Sequence, residues 1–212
     1  MIKSRIFLWL WSVLAWFPVP EEAIRNNTAW NRKMLSESLW REGEFIETQQ
    51  PFAALRFGKA YTMEYGGCGL IAVHNAMLEV GKPLSADGFL QMTEQLQRKG
   101  AAWFGKYGIH PAAIRRYLRE QSFSTLHVVG ANRKELERLE RVADVWIATV
   151  FNGRRLKEQL HTVCITRTAE GRYVPHNAYR PGEFASLTEA ISHISAHGAT
   201  ALYTIGVCFS TQ

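Results

Sequence analysis

The 212-residue chain is 47% hydrophobic and 21% charged, the make-up of a folded globular protein with a sizeable core, which argues against wholesale disorder. Its net charge of +6 would admit an anionic partner, but the cations are scattered and alternate with Glu, as from Arg133 to Arg141, so solvated helix faces are expected and no nucleic-acid footprint. Three widely spaced cysteines, Cys68, Cys164 and Cys208, argue against a disulfide framework and fit a reducing compartment.

At the N-terminus, Lys3 and Arg5 precede the apolar run from Ile6 to Phe17, which stops at Pro18 and Pro20. The run falls short of the roughly 20 residues that cross a bilayer as a helix, and no small-x-small cleavage site follows it. Its three tryptophans suit a membrane interface. Residues 1 to 20 are therefore expected to dock on the body or make peripheral membrane contact, with an export signal or short anchor as the alternative. The matching localisation is cytoplasmic and membrane-associated, or exported. Residues 21 to 60 predict a helix or two between Glu21 and Trp40, carrying Ile24, Trp30, Met34, Leu35 and Leu39. A polar stretch to Gln50 and a break at Pro51 follow. This forepart carries no chemical motif.

The stretch Glu64-Tyr65-Gly66-Gly67-Cys68-Gly69 predicts a sharply turning loop that opens a helix through Leu70, Ile71, Val73, Met77 and Leu78, ended by Gly81 and Pro83. A second helix runs from Phe89 to Gln97 after possible caps at Ser85 and Asp87. Gly100 to Gly108 is a glycine-punctuated loop whose Trp103, Phe104 and Tyr107 either line a groove or plug the core. Pro111 opens a helix through Ile114 and Leu118. Leu126–Val129 is a short strand, and Asn132 caps a helix from Arg133 to Val142. The period then changes. Val145–Phe151 reads as a strand before the tight-turn pair Asn152-Gly153, and His161–Arg167 alternates. A turn at Ala169–Gly171 leads into Arg172–Asn177. A helix over Ser186–Ala196 and a strand over Ala201–Phe209 close the chain. Helices first and an antiparallel sheet second is an α+β arrangement.

Cys68 is set at a helix N-terminus, where unpaired N–H groups and the helix dipole favour a thiolate and can receive an oxyanion. The plainer reading is a small buried hydrophobe. The hairpin brings His161 and Asn177 opposite each other or within one residue, and the loop geometry leaves open which face Asn177 shows. In such a constellation His161 deprotonates Cys68 and Asn177 accepts from the other ring nitrogen. An imidazolium there would further depress the thiol pKa. Cys68 with His74, His161 and His176 is the one combination that suggests a metal. Its Cys-x5-His spacing matches no usual zinc site, so no metal is expected. His74 reads as a satisfied core or rim histidine and His176 as a competitor of Asn177. His110, His127, His193 and His197 read as structural or surface residues.

Gly67-Cys68-Gly69 opening a buried helix, then His161-Thr162-Val163 and Val174-Pro175-His176-Asn177 on successive strands, resembles the papain-like cysteine peptidase superfamily. Within it, the likeness is to compact bacterial members related to double-glycine-leader (bacteriocin-processing) peptidases. The resemblance covers about residues 60 to 210 and divides the chain into an extension, 1–59, and a peptidase domain, 60–212. It implies a papain-like α+β fold, with a helical half whose cysteine sits at a helix start packed on a C-terminal antiparallel sheet. It further implies Cys68 as nucleophile, His161 as general base and acid, Asn177 as orienting residue, no cofactor, and a peptide or protein substrate cleaved through a thioester. Acyl transfer is equally compatible. One position departs. The superfamily's glutamine, about six residues before the cysteine, is Thr62 here, and Gln49 and Gln50 lie too far upstream to be equated with it. The Thr62 or Tyr65 hydroxyl, or backbone alone, is left for the oxyanion. This departure motivates a second reading: a weak or inactive papain-like protein that binds a peptide or protein partner, at a membrane surface through residues 1–20.

Overall fold

The computed structural model describes residues 2–35, 40–152, 160–195 and 197–208. Gly153 of the tight-turn pair, Leu39, Ala196 and Phe209 lie outside the described residues. Among those described, eight helices and an antiparallel five-stranded sheet form an α+β fold whose N-terminal half is helical.

The first helix, α1 (Ile2–Leu14), is followed by α2 (Glu21–Met34). No helix among the described residues is long and apolar enough to cross a membrane. The inner side of α1 buries Trp11 and packs Phe7 edge-on against Phe151, with ring centroids 4.9 Å apart. Ile6, Trp9, Leu10, and, in the turn after the helix, Trp16 and Phe17 are exposed. Asn27 and Asn31 of α2 hydrogen-bond the backbone of Gly58 and Arg56, fastening the helix to a small hairpin, β1 (Arg56–Phe57) and β2 (Tyr61–Thr62).

A single turn, α3 (Met63–Gly66), leads through Gly67 into α4 (Cys68–Glu79). The expected apolar face of α4 is only part of the story: every residue from Gly69 to Met77 is buried, His74 and Asn75 included. A helix apolar nearly all round has to lie inside the protein. Neither glycine before Cys68 needs a left-handed backbone; they serve close approach. A Cβ on Gly66 would stand 2.6 Å from the Phe57 ring, and one on Gly67 2.5 Å from the Met63 carbonyl oxygen.

Helix α5 (Ala86–Gly100) starts under the Ser85 cap, and α6 (Pro111–Glu120) starts at Pro111 with His110 as its cap. Strand β3 (Ser124–Val129) and helix α7 (Arg133–Val142), capped by Asn132, follow. Then come β4 (Val145–Phe151), β5 (Leu160–Arg167), β6 (Tyr173–His176), α8 (Leu187–His193) under the Ser186 cap, and β7 (Thr200–Cys208). The sheet order is β3-β7-β4-β5-β6, so the last strand returns to lie between β3 and β4. The β5–β6 turn closes at Gly171, with φ +79°, by a bond from its N–H to the Thr168 carbonyl.

Helices cover both faces of the sheet. Ile147, Cys164 and Ile205 pack with Leu70, Val73 and Met77 of α4 in one core, which also takes in Ile24 and Leu55. Trp146, Val163 and Ile165 pack on the opposite face with Leu136 and Leu139 of α7 and Ile191 of α8. The α4–β5 packing sets the N-terminus of α4 against the start of β5, and hence Cys68 near His161.

Gly67→Ala forces the added methyl against the Met63 carbonyl oxygen. Urea unfolding is expected to show a loss of about 1–3 kcal/mol; an unchanged midpoint would mean that the α3–α4 junction has slack.

Candidate active site

A polar pocket of about 380 Å³ opens at the junction of α4 and β5, lined by Gln49, Thr62, Glu64, Tyr65, Cys68, Leu160, His161 and Tyr179. The structure thus brings Cys68 and His161 to one cavity. Cys68 is partly exposed at the first position of α4. The N–H groups of a first helical turn have no carbonyl partners within their own helix. Burial nevertheless pushes the Cys68 thiol pKa up. Hydrogen bonds from the Thr162 backbone and hydroxyl, and from the backbone of Gly69 and of Cys68 itself, pull the other way and lose. This corrects the expected depression of the thiol pKa: the helix terminus favours the thiolate, but removing the thiol from water disfavours it more.

His161 is buried, and its Nε2 lies 2.6 Å from the Asn177 carbonyl oxygen. A carbonyl only accepts, so Nε2 carries the proton and Nδ1 is left with a lone pair. Burial holds the His161 pKa below its ordinary value, and the bond to Asn177 offsets part of that. Both shifts favour the uncharged forms, a thiol and a neutral imidazole. Among the described residues no hydrogen bond joins the Cys68 sulfur to His161.

Asn177 acts through a different atom from the one expected. Extending the β5–β6 register, in which Cys164 pairs with His176, sets Asn177 two residues off His161. The chain turns out of the strand there, at φ +60° for Asn177, a left-handed conformation that Asn tolerates better than most residues. That turn offers the carbonyl to His161 and frees the side chain, whose Nδ2 donates to Gln49 Oε1 at 3.1 Å. The Gln49 amide in turn donates to the Glu64 carbonyl. A side-chain amide has two N–H donors, so one remains.

Gln49 is the residue that sequence reasoning missed. It reaches the pocket because the extended segment before it is stitched to α4 and β6. Asn75 makes two bonds with the Ile46 backbone, accepting at 2.9 Å and donating at 3.0 Å, and His74 Nε2 lies 3.2 Å from the Glu44 carbonyl. His176 Nδ1 pairs with Glu47 Oε1 at 2.7 Å, its Nε2 meets the Thr166 hydroxyl at 2.9 Å, and its ring stacks on Phe45. His176 thus fastens this segment and does not compete for His161. His74 is a core histidine as expected, but only half satisfied: its buried Nδ1 has no hydrogen-bond partner. Thr62 lines the pocket, but its hydroxyl caps α3 by accepting from the Tyr65 N–H. Tyr179 lays its ring 4.9 Å from that of His161, on the solvent side of the pocket.

The other two thiols sit apart. Cys164 is fully buried in the core, and Cys208 donates to the Val142 carbonyl. Among the described residues no group of three or more His, Cys, Asp or Glu side chains could hold a metal ion. No protein-family model and no curated protein matches the chain.

The bond to His176 holds the Glu47 carboxyl below its usual pKa range, with burial opposing. A carboxyl depressed in the folded state stabilises the fold above its unfolded value of about 4.3 and loses that contribution as pH falls through its folded value. Thermal unfolding from about pH 6 to 3 should therefore show a falling limb that Glu47→Gln flattens. An unaltered limb would place the acid sensitivity elsewhere.

Proposed function

We propose that the chain is a thiol hydrolase of papain-like architecture, acting on an amide bond of a peptide or protein. The observation that carries this reading is the shared pocket: a cysteine at a helix start, and a histidine whose proton is pinned to Nε2 by a carbonyl, leaving Nδ1 as a base. In the first step Nδ1 of His161 takes the Cys68 thiol proton while Sγ bonds to the substrate carbonyl carbon. The carbon–nitrogen bond breaks, and the imidazolium returns the proton to the leaving nitrogen. Water then attacks the thioester, His161 again carries the proton, and the acid and the thiol are released. A neutral resting pair makes His161 a general base at the moment of attack, in contrast to a preformed thiolate–imidazolium pair. The backbone N–H of Cys68 and the second N–H of Gln49 are the donors offered to the oxyanion. Gln49 so fills the part that the residue at Thr62 lacks.

One observation favours the second reading, a papain-like protein that binds a peptide without cleaving it: among the described residues no hydrogen bond joins the Cys68 sulfur to His161, and burial raises the thiol pKa. The pH profile of Cys68 alkylation by iodoacetamide separates the two. A working pair gives a rate shoulder well below the ordinary thiol range of about 8.5, falling only beneath about 6.5 as His161 takes up a proton. His161→Ala removes that shoulder. A single alkaline limb, indifferent to His161→Ala, would leave the binding reading.

Turnover of an activated ester such as p-nitrophenyl acetate measures the oxyanion donor. Gln49→Ala is expected to cost about 10²–10³ in rate, as removal of such a donor does elsewhere. Equal rates would remove Gln49 from the hole.

A further inference from the structure

Cys68 lies between two cavities of opposite character. On one side is the polar pocket that holds His161. On the other is a groove of about 570 Å³, in which Phe7, Leu10, Trp11 and Leu14 of α1 form one wall and Tyr107 and Ile109 another, with Cys68 and Thr162 between them. The wall is fixed. Trp11 is buried with its ring 5.1 Å from that of His110, and Ser12 Oγ lies 3.2 Å from His110 Nε2. The rim is open, since Leu10 is 47% and Tyr107 43% exposed. The aromatic loop thus does line a groove, through Tyr107.

The chemistry orients a substrate across this pair of cavities. His161 must hand its proton to the leaving group, so the leaving portion lies on the His161 side. The acyl carbon bonds to Sγ, and the acyl portion extends to the other side. We propose that the groove walled by α1 takes an apolar acyl portion of the substrate, while the polar pocket takes the leaving amine. The N-terminal helix is then a specificity-determining part of the substrate site. This inference rests on the hydrolase reading. An apolar acyl portion has two sources, a linear alkyl chain or the branched apolar side chains of a peptide, and the groove recognises what they share.

Aldehydes probe the acyl side directly, because they have no leaving group. Sγ bonds to the aldehyde carbon, the thiol proton passes to the aldehyde oxygen, and a reversible hemithioacetal forms. Affinity is read as protection of Cys68 from iodoacetamide in the full chain, with the labelled cysteine assigned by peptide mass. From butanal to octanal, protection should tighten at least tenfold, since each methylene buried fully is worth about fourfold. Leu10→Asp, at the groove, should flatten the series, and Ile6→Asp, on the exposed side of α1, should leave it intact. An N-acetyl-dileucine aldehyde identifies the source. Tighter binding than octanal assigns the groove to peptide side chains, and weaker binding assigns it to an alkyl chain. A series without length dependence, in a protein whose Cys68 alkylation still needs His161, overturns the groove inference and leaves the hydrolase reading standing. Loss of the His161 dependence and of all aldehyde protection overturns both.

Discussion

The site depends on one set of contacts, the polar stitching of the segment from Glu44 to Gln49 between α4 and the end of β6. Buried imidazoles and amides are costly unless each finds a partner. Here His176 and Asn75 pay that cost by binding this one segment. The arrangement is reciprocal. Without the segment, Asn75 would be an unsatisfied amide within the most buried helix of the protein. Without those side chains, the segment would keep little beyond the packing of Ile46 on the core. Gln49 inherits its position from this bargain, and Asn177 couples that position to the His161 tautomer through the two ends of one residue.

Electrostatics at the site are decided by burial more than by the helix terminus. The dipole of α4 favours a thiolate, as do the Thr162 and Gly69 hydrogen bonds, yet desolvation outweighs them at Cys68. Desolvation also disfavours the charged form of His161. The two shifts act in one direction: each proton transfer between the pair separates charge in a place that disfavours charge. On the hydrolase reading, stabilisation of the developing oxyanion therefore matters more here than in a site with a preformed ion pair.

Much of the fold was legible because its signals are local. Asn132 reads as a cap and is one, Pro111 opens its helix, and the β5–β6 turn closes at the glycine that the sequence offers. The start of α4 at Cys68 was legible for the same reason. What was illegible depends on distant partners. Nothing near Gln49 announces that residues of α4 and β6 will draw it to Cys68. The role of Asn177 turned on a left-handed residue at a strand end, which moved its contact with His161 from side chain to backbone. The direction of the Cys68 pKa was hidden because burial is a sum over the whole fold.

The upward push that burial gives the Cys68 thiol pKa bears on how long that thiol survives. Oxidation to sulfenic acid begins from the thiolate, so a thiol whose surroundings favour the neutral form is shielded from peroxide. On the hydrolase reading, reactivity is confined to the moment when His161 removes the proton. That shielding counts in a chain whose other two thiols, one fully buried and one bonded to a carbonyl, offer no ready partner for repair through a disulfide.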